Sequence, residues 1–382
     1  MRTLKNVRAW LVDRGLTRVD ITCQNGVITA IDEVTDPQAP SSLASDAIVL
    51  PGFIDQHIHG LYGCEAMDAD ADALDTISRE LAKEGTTSFL ATTLTQSPEE
   101  IKRALAVTHD YVQKGEFPGA AIIGVHLEGP FISHKFVGAQ NPNFVQTPNV
   151  QRFEEYQAAA GGLIRIVSLA PEVEGAEALI EHLAKTGVRA SAGHTSATYA
   201  DMEQAIKSGL RCVTHTYNGQ SGVHHREVGV AGSAMLFDEL YTELICDTVH
   251  VSVPALKLMI KNKPLDKVIL ITDSIRPKSL PDGEFDLGGQ TVYLKNGEAR
   301  LASGVLAGSS LRANYAIRNL VERVGVPFES AVAFATVNPA THLGVFDRMG
   351  SIEVGKDASF AILDDRFEVL ETIVKEKTVY RA

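Results

Sequence analysis

The stretch Pro51-Gly52-Phe53-Ile54-Asp55-Gln56-His57-Ile58-His59-Gly60 opens as a buried strand should, apolar and bounded by turn residues. Within it Asp55, His57 and His59 fall at alternate positions, and alternate side chains of a strand share a face. Two neutral imidazoles projecting together make half of a divalent-metal site. The same pair also occurs on solvated strand edges, so the metal reading depends on further ligands. They follow at the ends of later apolar runs: Glu128 after 122–127, His194 in Ser191-Ala192-Gly193-His194, His215 in Val213-Thr214-His215, and Asp273 after Ile269-Leu270-Ile271-Thr272. Each has an ordinary structural alternative, as a turn cap, a hydrogen-bonded core histidine or a helix N-cap. A charge closing an apolar run is costly unless paired or metal-bound, and the loop around Pro277 offers Asp273 no helix to cap. Four of only twelve histidines stand at these ends, which random placement rarely produces. Metal ligation is the reading that explains them together.

The elements that must position these groups repeat from Gly52 onward as strand, loop and helix. Eight β-rich apolar runs lie at 53–59, 86–94, 120–127, 163–169, 188–193, 210–215, 241–247 and 267–272. Helix-length segments separate them, at 70–84, 98–114, 174–186, 197–208 and 253–262. Ser97-Pro98-Glu99-Glu100 starts one with Ser at N-cap and Pro at N1. Parallel strands alternating with helices predict an α/β fold, a (β/α)8 TIM barrel whose active site lies at the C-terminal strand ends. After the eighth run, 279–303 reads as a β-hairpin insertion over the barrel mouth, and helix returns at about 309–324 and 329–343. Residues 1–50 are short β runs with a hairpin signal at Asn25-Gly26 and a loop at 36–42. Short β runs return from 350 to 382. The chain is therefore expected to hold a small β-sandwich domain from 1–51 and 346–382, and a barrel domain from 52–345.

A net charge of −13 argues against a nucleic-acid or anionic-membrane partner, though a local cationic cluster could still hold a small anion. No apolar run reaches the length of a spanning helix or a signal peptide core. Cys23, Cys64, Cys212 and Cys246 are scattered without a Cys-x-x-Cys pair, as free thiols in a reducing compartment would be. A cytoplasmic location is expected.

Gly52-Phe53-Ile54-Asp55-x-His57-x-His59-Gly60, the lone Asp after the eighth run and the split β domain resemble the amidohydrolase superfamily. Four further stretches resemble its N-acetylglucosamine-6-phosphate deacetylases. They are His126-Leu127-Glu128-Gly129-Pro130-Phe131, Gly138-Ala139-Gln140-Asn141-Pro142, Ser191-Ala192-Gly193-His194-Thr195-Ser196-Ala197-Thr198 and Thr214-His215-x-Tyr217-Asn218. The likeness covers nearly the whole chain, down to Leu306-Ala307-Gly308-Ser309-Ser310.

The resemblance implies hydrolysis of the N-acetyl group of a 6-phosphorylated amino sugar. Glu128, His194 and His215 would hold the principal divalent ion. His57 and His59 would add a second, bridged by Glu128, so one or two ions per chain are implied. Zinc leads iron, manganese and cobalt. Asp273 would take a proton from the attacking water and return it to the departing amine. Gln140 would donate to the oxyanion; many relatives have a histidine there, and an amide supplies a hydrogen bond but neither proton nor charge. Asn218, Gly219, Arg226 and His250 are the implied phosphate donors, with Ala307 among the substrate-binding positions. The matching arginine of the family reaches across a dimer interface, which implies a homodimer. Val228 stands where proline is usual, and Asn218-Gly219-Gln220 replaces Asn-Ala-Met. The bland alternative for Arg226 is a solvated loop residue, and for His225 that is the favoured reading.

The nearest alternative is the same reaction on N-acetylgalactosamine 6-phosphate. A cyclic-amide hydrolase would need a lysine ending a middle strand, and strands three and four offer none. A deaminase leaves the 138–144 loop without a role. A non-catalytic metal-stabilised sugar-phosphate-binding protein would not need the free carboxylate of Asp273.

Overall fold

A computed structural model describes residues 1–36 and 38–382. The loop expected at 36–42 includes Pro37, which lies outside the described residues. At the centre, eight strands form one sheet in chain order: Phe53–Ile58, Thr86–Thr92, Ala121–Glu128, Ile164–Leu169, Arg189–Ala192, Cys212–Val213, Tyr241–Ile245 and Val268–Ile271. Every adjacent pair is parallel. The first and last strands meet through specific bonds. Asp273 N–H donates to the His57 carbonyl at 2.9 Å, and His59 N–H to the Ser274 carbonyl at 2.9 Å. Asp55 accepts from the Thr272 hydroxyl beneath them. Asp55, the first of the three alternating polar residues, thus closes the barrel one layer below the two histidines.

Most of the helices that cover the outer face do so with one apolar stripe. Ala71–Ala82 buries Leu74, Ile77 and Leu81, and Pro98–Gln113 buries Ile101, Leu105 and Thr108. The Ser97 hydroxyl accepts from Glu100 N–H at 3.2 Å, the cap its sequence predicts. Two helices were not expected. Val150–Ala159 carries its own signals, an Asn149 cap and buried Phe153 and Tyr156. Gly229–Leu236 is apolar but for Ser233 and is buried from Gly229 to Ala234, so it shows no amphipathic period. The 309–324 segment becomes helical only at Ala313 and ends in a π-turn at Leu320–Val324. The 329–343 segment is two helices, Phe328–Ala335 and Val337–His342, parted at Thr336.

Both chain ends build one continuous seven-stranded sheet around a core that includes Val7, Val19, Ile21, Val49, Phe360, Ile362 and Ile373. Asn25 and Gly26, at φ 56° and 78°, make the tight turn between Gly15–Gln24 and Val27–Glu33. The 279–303 insertion differs from the hairpin expected. It is three antiparallel strands, Gly283–Leu287, Gln290–Lys295 and Glu298–Leu301, because Asn296-Gly297 supplies a second left-handed turn after Gly288-Gly289. Its first turn holds the loop after strand three. The Gly288 carbonyl accepts from Gln96 and Asn141 side chains, and the Gln290 amide donates to the Ala139 carbonyl at 2.6 Å.

Candidate metal centre

Four histidines and two carboxylates from five strand ends converge on one point. Glu128 Oε1 lies 3.0 Å from His215 Nε2, 3.3 Å from His194 Nε2 and 3.4 Å from His57 Nε2, and its Oε2 is 3.3 Å from His59 Nε2. Asp273 Oδ1 stands 3.4 Å from both His57 Nε2 and His59 Nε2. All six are buried. His194, His215 and Asp273 take left-handed backbone angles, φ 46°, 28° and 49°. Non-glycine residues adopt such angles seldom, and surrounding bonds can hold them there. Here Ser133 N–H donates to the His194 carbonyl, Asn218 N–H to that of His215, and Ser309 N–H to that of Asp273.

The donor set fits a divalent cation, by an argument from tautomers. His194 Nδ1 faces the Phe136 carbonyl at 2.9 Å and His215 Nδ1 the Asn218 carbonyl at 3.1 Å. A carbonyl only accepts, so both Nδ1 atoms carry hydrogen, and each ring in its neutral form turns a bare Nε2 lone pair inward. Those two nitrogens are 3.2 Å apart and share the Glu128 carboxylate. His57 repeats the pattern: its Nδ1 meets Glu243 Oε2 at 3.1 Å, and its buried Nε2 has no hydrogen-bond partner. Lone pairs and carboxylate oxygens facing one another repel unless a cation or protons intervene. Without an ion the protons do it. Burial alone would lower the His59 pKa, but hydrogen bonds and charge from Asp273 and Glu128 raise it to about 9. Burial would likewise raise Asp273, but the charges of the His57 and His59 side chains and the His59 hydrogen bond hold it down at about 2.

The centre forms the floor of a cavity of about 270 Å³ that also exposes Gln140, Tyr217, Asn218, Gly219 and His250. Its apolar wall is Leu94, Ile275, Leu287, Val305 and Leu306, drawn partly from the three-stranded insertion. Three sequence-predicted substrate residues behave differently from the rest. Ala307 does not line the cavity; its side chain is buried in the insertion core, while Leu306 and Gly308 on either side reach the wall. Arg226 is exposed on a loop outside this chain's cavity and donates to His225 Nε2 at 2.7 Å. Gln140 is engaged at both ends, its amide donating to Glu128 and its carbonyl accepting from Thr95 N–H at 2.7 Å.

Residues 48–379 match the amidohydrolase family. An N-acetylglucosamine-6-phosphate deacetylase of Bacillus subtilis is 44% identical over 340 residues, 88% of this chain and 85% of that protein. The chain belongs to the amidohydrolase family. Among other relatives, an N-acetylgalactosamine-6-phosphate deacetylase of Escherichia coli O157:H7 is 37% identical over 96% of this amidohydrolase and 95% of its own length. The crystal structure of N-acetylglucosamine-6-phosphate deacetylase from Thermotoga maritima superposes with a TM-score of 0.91 at 32% identity, covering all of both chains.

Strand-end position does not single out a second layer that lies beneath the ligands of this amidohydrolase. Gln56, His126, Ser168, Ser191, Thr214 and Glu243 are buried and bond across the barrel interior. A signal existed. Glu243 sits inside the run Tyr241-Thr242-Glu243-Leu244-Ile245, where an unpaired carboxylate would be costly. His250, by contrast, was expected at the cavity and is there, held by Asp247 Oδ2 at 2.7 Å.

Proposed function

We propose that this amidohydrolase hydrolyses the N-acetyl group of N-acetylglucosamine 6-phosphate, giving glucosamine 6-phosphate and acetate. The observation that carries the reading is Asp273, a carboxylate set beside metal-competent histidines and open to a small-molecule cavity. A structural metal site has no use for such a free base. The names of the relatives above support the same substrate class: those of Bacillus subtilis and Thermotoga maritima are named for the gluco sugar and that of Escherichia coli O157:H7 for the galacto sugar.

Glu128, His194 and His215 would hold a principal divalent ion, and His57, His59 and Glu128 would serve a second; zinc is the ion proposed. When bound, such an ion supplies Lewis acidity, acidifying water and polarising a carbonyl. The chain's own residues do the rest. Asp273 accepts the proton as water oxygen adds to the acetyl carbon, then delivers it to the sugar nitrogen as the C–N bond breaks. The second N–H of Gln140, the one not given to Glu128, is the candidate donor to the oxyanion. Asn218, Gly219 and His250 bind the sugar phosphate from within the chain. Arg226, outside its own cavity, is assigned to the neighbouring site of a homodimer. The four cysteines are free, which agrees with a cytoplasmic location. The division into domains 1–51 with 346–382 and 52–345 belongs to the same proposal.

The test is acetate release from N-acetylglucosamine 6-phosphate and N-acetylgalactosamine 6-phosphate with zinc, manganese, iron or cobalt supplied. Faster turnover of the gluco sugar is expected. Preference for the galacto sugar would exchange the substrate, and no release from either would end the deacetylase reading.

A further inference from the structure

We propose that Glu243 is the positioning residue of the centre: it holds His57 in the tautomer that presents a bare Nε2 to the metal. The inference rests on the metal-dependent reading above, but concerns a residue one layer behind the ligands, in contact with His57 and His215 and outside the cavity lining.

Three donors converge on this one carboxylate. Glu243 Oε1 accepts from the Gln56 amide at 2.6 Å. Its Oε2 accepts from His57 Nδ1 at 3.1 Å and from the His215 backbone N–H at 3.3 Å. The Gln56 amide is held in that orientation while its own Oε1 accepts from His342 Nδ1 at 3.0 Å; turning it round would also require the His342 hydrogen to move to Nε2, which is buried with no hydrogen-bond partner. Glu243 is fully buried, and His57 is its one ion-pair partner among the described residues. Among the described residues no lysine or arginine forms an ion pair with it. A divalent ion on the far side of the His57 ring would explain the charge, since carboxylate, imidazole and metal in line are a recurring arrangement that orients the ring and raises its basicity.

The other histidines show why this contact stands apart. His194 and His215 are oriented by backbone carbonyls, and His59 Nδ1 has no partner. His57 alone of the four owes its tautomer to a side chain, one that substitution can remove. Glu243→Gln is then a severe change despite its matched shape. Glutamine keeps one acceptor oxygen, and whichever way its amide lies, its NH₂ meets a donor, either Gln56 or His57. His57 can escape by moving its hydrogen to Nε2, which occupies the lone pair the metal needs.

The experiment compares full-length wild type, Glu243→Gln, His57→Gln and the double variant. Zinc affinity is measured by competition with a chromophoric chelator. Ring tautomers are read by NMR of zinc-loaded protein labelled with ¹⁵N-histidine. Wild type should show a protected Nδ1–H resonance that vanishes in His57→Gln. Glu243→Gln should lose that resonance and bind zinc at the His57 side about 10- to 100-fold more weakly. On the His57→Gln background it should add nothing. A merely structural Glu243 would move neither the tautomer nor the coupling. Wild-type His57 protonated on Nε2, undiminished zinc affinity in Glu243→Gln, or an equal loss on the His57→Gln background would overturn the proposal. If Glu243→Gln fails to fold, the wild-type and His57→Gln spectra still decide the tautomer. A protein that passes these tests yet releases no acetate would refute the deacetylase reading and leave this one standing.

Discussion

Asp273 and His57 are joined twice: the Asp273 backbone N–H donates to the His57 carbonyl at 2.9 Å, and Asp273 Oδ1 lies 3.4 Å from His57 Nε2. The contact that closes the barrel therefore also sets the proposed base against the proposed metal ligands. Asp273→Asn tests the base without disturbing the closure, because asparagine tolerates the left-handed backbone at φ 49°. Turnover should fall by on the order of 10²–10⁴, with substrate affinity little changed. Metal content should stay close to wild type. A variant keeping more than about a tenth of wild-type turnover, metal intact, would exclude Asp273 as the proton carrier.

The metal-free protein should have a stability optimum in mildly acidic solution. His59 is raised in the fold to about 9 from its ordinary 6.5, so its contribution is full below about pH 6.5 and is lost as pH climbs through 9. Asp273 is depressed to about 2 from 3.8, so its contribution is present above pH 3.8 and is lost as pH falls toward 2. Saturation with zinc should flatten the alkaline limb, since metal displaces the histidine protons. Melting temperatures across pH, with and without chelator, check both limbs; a metal-free protein that gains stability from pH 6.5 to 9 would contradict the assignment.

Arg226→Ala separates phosphate recognition from chemistry. A charge-assisted hydrogen bond of this kind contributes roughly 1.5–3 kcal/mol, so kcat/KM on the 6-phosphorylated sugar should drop about 10- to 150-fold. Activity on unphosphorylated N-acetylglucosamine should barely move. Equal losses on the two sugars would make the arginine structural.

Lys278 and Glu84 form a buried ion pair at 2.8 Å, with the ammonium wholly out of water and the carboxylate also accepting from Ala313 N–H. Lys278→Met strands that carboxylate. Removing one partner of such a pair costs about 3–5 kcal/mol, which equilibrium denaturation in urea should register. A loss under about 1 kcal/mol would mean that Ala313 N–H and the neighbouring Arg312 already satisfy Glu84.

What the sequence by itself determined was the list of metal-competent groups and the scaffold that carries them. Alternation along 53–59 put His57 and His59 on one face, and apolar runs ending in Glu128, His194, His215 and Asp273 placed single groups at strand ends. Both patterns are local, because strand period and burial cost act within a few residues. Only the tertiary structure decided the rest. Ala307 shares a motif with cavity residues, yet its side chain turns into the insertion core. Arg226 lies beyond its own chain's site. Asp55 alternates with His57 and His59, yet it closes the barrel beneath them. The tautomers of His57, His194 and His215 follow from Glu243, Phe136 and Asn218, partners drawn from distant or irregular segments. Local pattern can say which side chains face inward. It cannot say what meets them there, because hydrogen bonds across a closed barrel join residues far apart in sequence, and those partners exist only once the strands have met.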